Sequence, residues 1–352
     1  MKPEFRVALI GFGLGGAVFH APLIAVTSGL RLATIVTSNP ERRAKAAREH
    51  PEARIVDSVD AVWKGAADHD LVVVTTSNRS HAPLSLAALD RGLGVIIDKP
   101  FATSAAEARE VIVAARNSKL FLSAYHNRRW DSECLTVKRL MATGVLGEVF
   151  RFESRLDRWR PEPKGGWREL GAVEEAGGLL FDLGTHLIDQ ALHLFGRVTH
   201  VYAEIDRRRA NIEVDDDVFL SLTHASGMRS HLGATLMAAQ PAARMRVLGS
   251  RAAYVKQYPD DQEAALRAGH RPDEPNWGEE PPEHWGLLGV GVDARPERSE
   301  PGAYQRFYSG VVASLRDGAP PPVDPEDAVT GLEIIAAAQR SSAERRVVKL
   351  DF

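Results

Sequence analysis

Three residues have types and positions that fit chemistry on a hydroxyl group. Lys99 directly follows the apolar run GVIID, and Asp182 and His186 stand four apart in FDLGTHLIDQALHLF. An imidazole titrates near neutral pH and can accept or return a proton, whereas an ammonium can stabilise an oxygen that gains negative charge. Taken alone, Lys99 is explained more simply as a solvated residue at the end of a strand.

The second stretch predicts a helix with one polar stripe. With about 100° of rotation per residue, Asp182, His186, Asp189 and His193 fall on one face. A solvated face is the alternative, but residues 176–196 contain only the two aspartates as formal charges, so we expect partial burial. Asp182, His186 and His193 could also be metal ligands. No further His or Cys cluster supports that reading, and we predict no metal.

A glycine-rich loop near the N-terminus predicts a dinucleotide site. The sequence GFGLGG matches the G-x-G-x-x-G pattern, follows the apolar run RVALI and precedes a helical pattern. Its glycines allow a tight turn, close approach of a pyrophosphate and close packing of helix on strand. A turn without a ligand is the alternative. The predicted contacts are Gly11, Phe12, Gly13, Leu14 and Gly16.

The end of the second predicted strand favours NADP over NAD. NAD enzymes usually have an acid there for the ribose 2′-hydroxyl, but this chain has Ser38 and Asn39. Arg42 and Arg43 follow on the next helix, where a guanidinium can pair with a 2′-phosphate. A solvated helix face explains the arginines equally well, so NAD stays possible. In SNPER, Asn39 is the predicted N-cap, which accounts for Glu41 in the first turn.

Two further strand ends should lie at the same edge of the sheet. Ser77, Asn78 and His81 follow the run DLVVVTT, and Asp98 and Lys99 follow GVII. Ligands of open α/β sheets bind outside the carboxyl ends of the strands, so these five residues are further candidates for contacts with the cofactor. Turn formation, helix capping and a simple helix start are the structural alternatives.

The pattern along the chain predicts two domains. Short β-branched runs alternate with helical segments up to about residue 123, which is typical of a Rossmann, doubly wound parallel sheet. Longer strands with alternating charges then predict an α+β domain over residues 124–352, with a large, mostly antiparallel open sheet. A Pro-rich, acidic stretch between residues 257 and 304 is interpreted as a lid or a disordered excursion.

Composition excludes several classes of protein. The 352 residues are 44% hydrophobic and 26% charged, with a net charge of −3 and no basic patch, so we expect no nucleic-acid partner. A single cysteine, Cys134, excludes an internal disulfide framework. No apolar segment is long enough to span a bilayer, and glycines interrupt the apolar N-terminus. We predict a cytoplasmic protein.

Several motifs together resemble the glucose–fructose oxidoreductase/inositol dehydrogenase/MocA (Gfo/Idh/MocA) family. They are GFGLGG, TSNRSH, DKP in place of the family's usual Glu-Lys-Pro, HNRRWDSE, and Gly-Gly-x(3)-Asp-x(3)-His ending at His186. Longer phrases, including ESRLDRWRP and DQEAALRAG, resemble the branch of NADP-dependent scyllo-inositol dehydrogenases. The resemblance implies that Lys99, Asp182 and His186 are the catalytic residues.

The resemblance further implies an activity, hydride transfer between nicotinamide C4 and a secondary hydroxyl or keto group of a cyclic polyol or sugar. A neutral polyol needs several polar contacts, and the candidates are Asn127, Arg128, Arg155 and Trp167. A non-catalytic NADP-binding sensor or scaffold is the alternative, because folds can persist without their chemistry. The resemblance and the apolar residues on both faces of the later strands imply a homodimer or homotetramer formed through the C-terminal sheet.

Overall fold

A computed structural model of the chain describes residues 4–163, 165 and 175–351. The chain divides into two compact units, each assembled from three segments. Unit 1 contains residues 1–127, 262–277 and 303–329, and unit 2 contains residues 128–261, 278–302 and 330–352. The sequence predicts a boundary between two independently folding domains at residues 123/124, and that boundary stays a prediction. Trp167 lies outside the described residues.

The strands and helices of the described residues are named here in chain order. The strands are β1 Phe5–Ile10, β2 Leu30–Val36, β3 Arg54–Val56, β4 Leu71–Val74, β5 Gly94–Asp98, β6 Leu122–Tyr125, β7 Val149–Asp157, β8 Val198–Asp206, β9 Asp217–His224, β10 Arg229–Thr235, β11 Met245–Gly249, β12 Ala253–Lys256, β13 Gly286–Gly289, β14 Arg295–Glu297 and β15 Val348–Lys349. The helices are α1 Ala21–Val26, α2 Pro40–Glu49, α3 Asp60–Lys64, α4 His81–Leu89, α5 Ala105–Ser118, α6 Ser132–Ala142, α7 Thr185–Phe195, α8 Gln262–Ala268, α9 Gln305–Asp317 and α10 Pro325–Glu344. Two π-helical turns, Gly15–His20 and Leu180–Gly184, lead directly into α1 and α7.

The sheet of unit 1 confirms the predicted Rossmann architecture. Its six strands are all parallel and follow the order β3-β2-β1-β4-β5-β6. The central strands are buried on both faces, because helices cover both sides of such a sheet, and this explains their continuous β-branched runs. The order reverses between β1 and β4, which is where ligands bind in this class of fold.

Helix α2 begins as the sequence predicts. Asn39 has extended backbone geometry, and its Oδ1 accepts a hydrogen bond of 3.0 Å from the main-chain N–H of Arg42. Pro40 occupies the first helical position, where a missing N–H costs nothing, and Glu41 lies in the first turn near the positive end of the helix dipole. This local capping sets the direction in which Arg42 and Arg43 leave the end of β2.

The sheet of unit 2 is large and almost entirely antiparallel, as predicted. Its nine strands follow the order β14-β13-β12-β11-β7-β10-β9-β8-β15, and the central pair β7 and β10 is parallel. Alternate residues of β7 differ in their surroundings: Phe152 and Ser154 are fully buried, whereas Arg155 is exposed. Helix α7 packs on β7 and β10.

The interpretation of residues 257–304 as a disordered excursion is wrong. The stretch contains α8 and the strands β13 and β14, which extend the sheet of unit 2. Its first part, residues 262–277, belongs to unit 1, and α8 packs against the π turn Gly15–His20. Residues 278–302 belong to unit 2. High Pro and acidic content concealed these short elements from the sequence pattern.

Within the described part of the chain, none of the helices combines the length and apolar character that a membrane crossing requires.

Candidate functional site

Gly11 and Gly16 of the glycine loop in unit 1 are packed too closely to admit side chains. Gly11 has a φ of 104°, and a Cβ on it would lie 2.6 Å from the carbonyl oxygen of Thr75. A Cβ on Gly16 would meet the carbonyl oxygen of Gly11. Because the main chain itself forms this surface, its N–H groups can approach a pyrophosphate closely. Phe12 is buried beneath the loop, whereas Leu14 is exposed.

The side chain of Arg42 reaches the same loop. Its Nη1 atom is 3.8 Å from the position that a Cβ on Gly13 would occupy. Ser38 and Arg42 are exposed, and Arg43 is half-buried. The structure therefore places a guanidinium and a small hydroxyl residue beside the end of β2, where an adenosine ribose of a bound dinucleotide lies in Rossmann folds.

The turn after β4 is held by hydrogen bonds among its own residues. The Oγ of Ser80 donates to the carbonyl oxygen of Ser77 at 2.6 Å, and Asn78 is buried in a short 3₁₀ turn, Asn78–Ser80. His81 begins α4, as the structural alternative predicted. The turn therefore presents a fixed main chain at the end of β4.

His81 connects the ends of β4 and β5. Its Nδ1 is 2.7 Å from the carbonyl oxygen of Pro100, and its Nε2 is 3.3 Å from that of Thr76. Burial lowers the pKa of His81, more strongly than the nearby Asp98 raises it. A neutral imidazole has a single N–H, and its donation to the carbonyl oxygen of Pro100, the shorter contact, fastens the turn containing Lys99 to the start of α4.

Asp98 packs its carboxylate against the glycine loop. Its Oδ1 accepts a 2.8 Å hydrogen bond from the main-chain N–H of Lys99. Its Oδ2 lies 2.7 Å from the position of a Cβ on Gly15. Burial pushes the pKa of Asp98 upward, but the nearby His20 and the charge of Lys99 outweigh it, and the pKa is lowered. Lys99 is half-buried beside an ionised carboxylate.

In unit 2, the predicted helix begins as a π turn. Leu180–Gly184 is π-helical and α7 continues from Thr185, so the regular 3.6-residue period expected across Asp182 and His186 is interrupted. Asp182 is half-buried and His186 is only 6% exposed, which confirms the expected partial burial. The two residues therefore bring a carboxylate and an imidazole to one end of the helix.

Buried charged and polar groups fix the middle of α7. Asp189 accepts hydrogen bonds from Nε and Nη2 of Arg129, the shortest at 2.6 Å, and both side chains are buried. The side-chain amide of Gln190 donates to the carbonyl oxygen of Arg128 at 2.9 Å. Asp189 is thus committed to an ion pair with Arg129.

A carboxylate that sequence reasoning missed holds the start of this helix. The Oδ2 of Asp215 accepts a 2.6 Å hydrogen bond from the main-chain N–H of Leu180. Gly178 has a φ of 89°, and a Cβ there would meet Oδ1 of the same carboxylate. Burial raises the pKa of Asp215 to about 6, although main-chain hydrogen bonds from Leu180 and Leu179 act in the opposite direction. The run VDDD, distant in sequence, gave no signal of this contact.

Possible metal ligands among the described residues lie close to basic side chains. Lys138 directs its Nζ to Nε2 of His193 at 3.1 Å, and burial, together with Arg129 and Lys138, lowers the pKa of His193 to about 4. The buried acids Glu133, Asp260 and Glu280 lie close together, but Lys256 pairs with Glu280 at 2.6 Å and Arg244 lies 3.0 Å from Glu133. Two of these three acids are therefore neutralised by basic side chains, and the absence of a metal stays a prediction.

The proposed substrate residues are only partly brought together. Arg128 is buried beside α7 and lies 3.5 Å from Asp131, and Asn127 is buried in the same 3₁₀ turn, Asn127–Trp130. Arg155 follows the buried Ser154 in β7, so its side chain projects from the face of the sheet opposite to α7. The structure therefore does not bring Arg155 to the helix that carries His186.

Lys99 belongs to unit 1, and Asp182 and His186 belong to unit 2. Each half of the candidate site is described within its own unit, and the joint action of the three residues stays a prediction.

The fold and the glycine loop define a Rossmann oxidoreductase, and comparison with known proteins identifies its family. Residues 5–126 match the Gfo/Idh/MocA model described as an oxidoreductase family NAD-binding Rossmann fold, and residues 138–350 match the model of that family's C-terminal alpha/beta domain. The chain belongs to the Gfo/Idh/MocA oxidoreductase family, which confirms the resemblance seen in its motifs.

Individual relatives match along nearly the whole chain. The scyllo-inositol 2-dehydrogenase (NADP(+)) IolW of Bacillus subtilis (strain 168) is 35% identical over 98% of this chain and 96% of its own. An uncharacterized oxidoreductase of Escherichia coli (strain K12), YdgJ, is 36% identical over 99% of this chain and 100% of its own. A solved structure from Yersinia pestis has a TM-score of 0.92 at 34% identity, covering 100% of this chain and 99% of that chain.

Proposed function

We propose that the protein is an NADP-dependent dehydrogenase that acts on a secondary hydroxyl group of a cyclic polyol or sugar. An example is the hydroxyl group of scyllo-inositol, with the corresponding inosose as the ketone. The observation that carries the proposal is a buried imidazole, His186, four residues after Asp182. It occurs in a chain that is similar over nearly its full length to an NADP-dependent scyllo-inositol dehydrogenase.

The residues of the chain divide the reaction among them. When bound, the nicotinamide supplies the hydride acceptor at C4, and the protein supplies position and electrostatics. His186 accepts the hydroxyl proton at an imidazole nitrogen as the hydride leaves the carbinol carbon, and it returns that proton in the reverse direction. Lys99 hydrogen-bonds the same oxygen and stabilises its developing negative charge. Asp182 orients the imidazole or holds a neighbouring hydroxyl.

The cofactor preference rests on the end of β2. Main chain without side chains forms the surface for the pyrophosphate, and the guanidinium of Arg42 lies beside Gly13. Ser38 leaves room for a 2′-phosphate where NAD enzymes place a carboxylate, and a carboxylate there would repel that phosphate. We infer NADP as the preferred cofactor, with NAD as a weaker ligand.

We infer self-association through the sheet of unit 2. Leu287 on β13 is a large apolar side chain that is 46% exposed. A pair of such sheets would cover it in a homodimer or homotetramer. A monomeric mass by light scattering at micromolar concentration would contradict this inference. The cytoplasmic location and the absence of a nucleic-acid partner stay predictions.

A substrate panel tests the proposed activity directly. The purified chain is assayed for reduction of NADP, and in parallel of NAD, with scyllo-inositol, myo-inositol, glucose and xylose. We expect turnover with at least one inositol and a higher kcat/KM with NADP. Tight NADP binding without turnover on any polyol or sugar would favour the alternative, a cofactor-binding sensor or scaffold.

His186→Asn separates chemistry from binding. We expect turnover to fall by about 10²–10⁴-fold, the usual contribution of general acid–base catalysis, with little change in NADP affinity. His193→Asn on the same helix is the matched control, because its imidazole is paired with Lys138, and we expect it to retain turnover within about twofold. Near-full activity of His186→Asn, or a defect confined to cofactor affinity, would refute the catalytic role of His186.

A further inference from the structure

A fully buried histidine stands behind the turn that contains Lys99. His20 is the last residue of the π turn Gly15–His20 and has no exposed surface. Its Nδ1 lies 2.6 Å from the phenolic oxygen of Tyr308, and its ring stacks at a tilt on Tyr125 with a centroid distance of 4.0 Å. Neither His20 nor Tyr308 belongs to a motif that predicted the site.

The other edge of the same imidazole faces Asp98. Nε2 of His20 is 3.8 Å from Oδ2 of Asp98, whose Oδ1 accepts the main-chain N–H of Lys99. The chain of contacts therefore runs from Tyr308 through His20 to Asp98 and ends on the backbone of Lys99. On the far side of the turn, His81 binds the carbonyl oxygen of Pro100.

The order of these groups specifies one arrangement of hydrogens. Burial raises the pKa of Tyr308 well above its ordinary value, so the phenol keeps its hydrogen and can donate it to Nδ1. An imidazole whose Nδ1 accepts this hydrogen bond carries its own hydrogen at Nε2, on the edge that faces the carboxylate. Tyr308 thus selects the tautomer that stabilises an ionised Asp98.

We propose that His20 and Tyr308 are positioning residues that hold the carboxylate of Asp98 in place and thereby fix Lys99 at the end of β5. The proposal rests on the proposed function for its effect on turnover. All four residues lie within unit 1, and the side chain of Asp98 is 17% exposed, so the contact chain connects the interior of the unit with the surface of the glycine loop.

Two buried tyrosines of the same cluster provide a matched pair of variants. Tyr308→Phe removes the hydroxyl that contacts His20, whereas Tyr125→Phe removes a hydroxyl that donates to the carbonyl oxygen of Phe19 at 2.7 Å. Each variant loses one buried hydrogen bond and keeps its ring. With NADP and scyllo-inositol, we expect Tyr308→Phe to lower kcat by about tenfold at an unchanged dissociation constant for NADP, and Tyr125→Phe to change kcat by less than about twofold.

Two substitutions of His20 test which edge of the imidazole matters. The amide of His20→Gln can still donate near the position of Nε2 towards Asp98, whereas the shorter amide of His20→Asn reaches only towards Tyr308. We expect His20→Gln to retain more kcat than His20→Asn. Equal turnover of the two variants would contradict a role exerted through Asp98.

A measurement on Lys99 itself separates this proposal from the proposed function. Trace labelling of amines with acetic anhydride, followed by peptide mass spectrometry, compares the reactivity of Lys99 with that of the exposed Lys64 in the full chain without substrate. We expect Tyr308→Phe and His20→Asn to change the Lys99/Lys64 ratio by at least about threefold, and Tyr125→Phe to leave it unchanged.

If the wild-type protein is inactive, the proposed function is contradicted. The Lys99/Lys64 labelling ratio would still test whether His20 positions Lys99. The proposal is overturned if the ratio is the same in Tyr308→Phe as in Tyr125→Phe, or if turnover falls equally in both. Because Tyr308→Phe preserves the volume of the buried ring, this comparison holds even if the His20 variants do not fold.

Discussion

The two halves of the candidate site begin their helices in the same way but are held by different means. In unit 1 the π turn Gly15–His20 leads into α1, and in unit 2 the π turn Leu180–Gly184 leads into α7. The first is packed through its main chain, where a Cβ on Gly16 would meet the carbonyl oxygen of Gly11. The second is held at its start by the side chain of Asp215, and the helix α7 that follows is held in its middle by the ion pair of Asp189.

This difference predicts opposite sensitivities to substitution. A surface made by main chain fails when a side chain is added, because a dinucleotide must approach the backbone closely. A helix held by buried carboxylates fails when a side chain is removed, because the remaining partner is left as an uncompensated buried charge. Cofactor binding and placement of the proposed catalytic imidazole should therefore respond to different kinds of mutation.

The largest effect is expected for Arg129→Ala. Removing the guanidinium leaves Asp189 buried without its bidentate partner, and we expect the free energy of unfolding to fall by about 3–5 kcal/mol. Urea unfolding followed by circular dichroism measures the change. Arg139→Ala is the control, because its partners Glu297 and Glu300 are partly exposed and such pairs contribute about 0–1 kcal/mol. Equal losses of unfolding free energy in Arg129→Ala and Arg139→Ala would contradict the proposal that buried side chains hold α7.

Two glycines of one loop distinguish packing from ligand access. We expect Gly16→Ala to destabilise the protein by about 1–3 kcal/mol, because its Cβ collides with the loop itself, and to weaken NADP binding as well. Gly13→Ala meets only Arg42, at 3.8 Å, so we expect unchanged stability but at least about tenfold weaker NADP binding. Thermal unfolding and fluorescence titration with NADPH measure the two effects. Unchanged NADP affinity in Gly13→Ala would contradict a main-chain cofactor surface.

Asp215→Asn should stabilise the protein above pH 6. The pKa of Asp215 is raised to about 6 in the folded state, so its ionisation costs stability as pH rises from about 4 to 6. The asparagine oxygen can still accept the N–H of Leu180. We expect equal stability of the variant and the wild type near pH 4, and an advantage of about 1–2 kcal/mol for the variant at pH 8. Lower stability of the variant at pH 8 would show that the ionised carboxylate is favourable there.

The smallest effect is expected for Arg42→Ala. Loss of one exposed guanidinium should weaken NADP binding by about tenfold and leave NAD binding unchanged, since only NADP carries the 2′-phosphate. Isothermal titration with both cofactors measures the preference. Arg48→Ala, at the other end of α2, is the matched control. Equal weakening for NAD and NADP would mean that Arg42 does not contact the 2′-phosphate.

The difference between main-chain packing in unit 1 and side-chain contacts in unit 2 also explains which features the sequence could predict. The glycine loop, the N-cap at Asn39 and the alternation of strands and helices are local patterns, and all three were predictable because adjacent residues determine them. The partners of α7 come from residues far away in the chain, as with Arg129 and Asp215, and a single sequence contains no sign of such pairs. The π turns were also missed, since the apolar spacing of these segments fits an ordinary helix.

The residues that pack behind Lys99 are separated by a long stretch of chain. His20 and Tyr308 are 288 positions apart, and unit 1 takes its last segment from residues 303–329. During synthesis the chain emerges from the ribosome from its N-terminus onward. The core of unit 1 therefore cannot form completely until nearly all of the polypeptide has been synthesised. Closing contacts across so long a loop is also slow, because its entropy is lost before the contacts form. A fragment that ends at residue 127 is therefore expected to expose the apolar surface that α9 covers, and to require chaperones or aggregate when expressed alone.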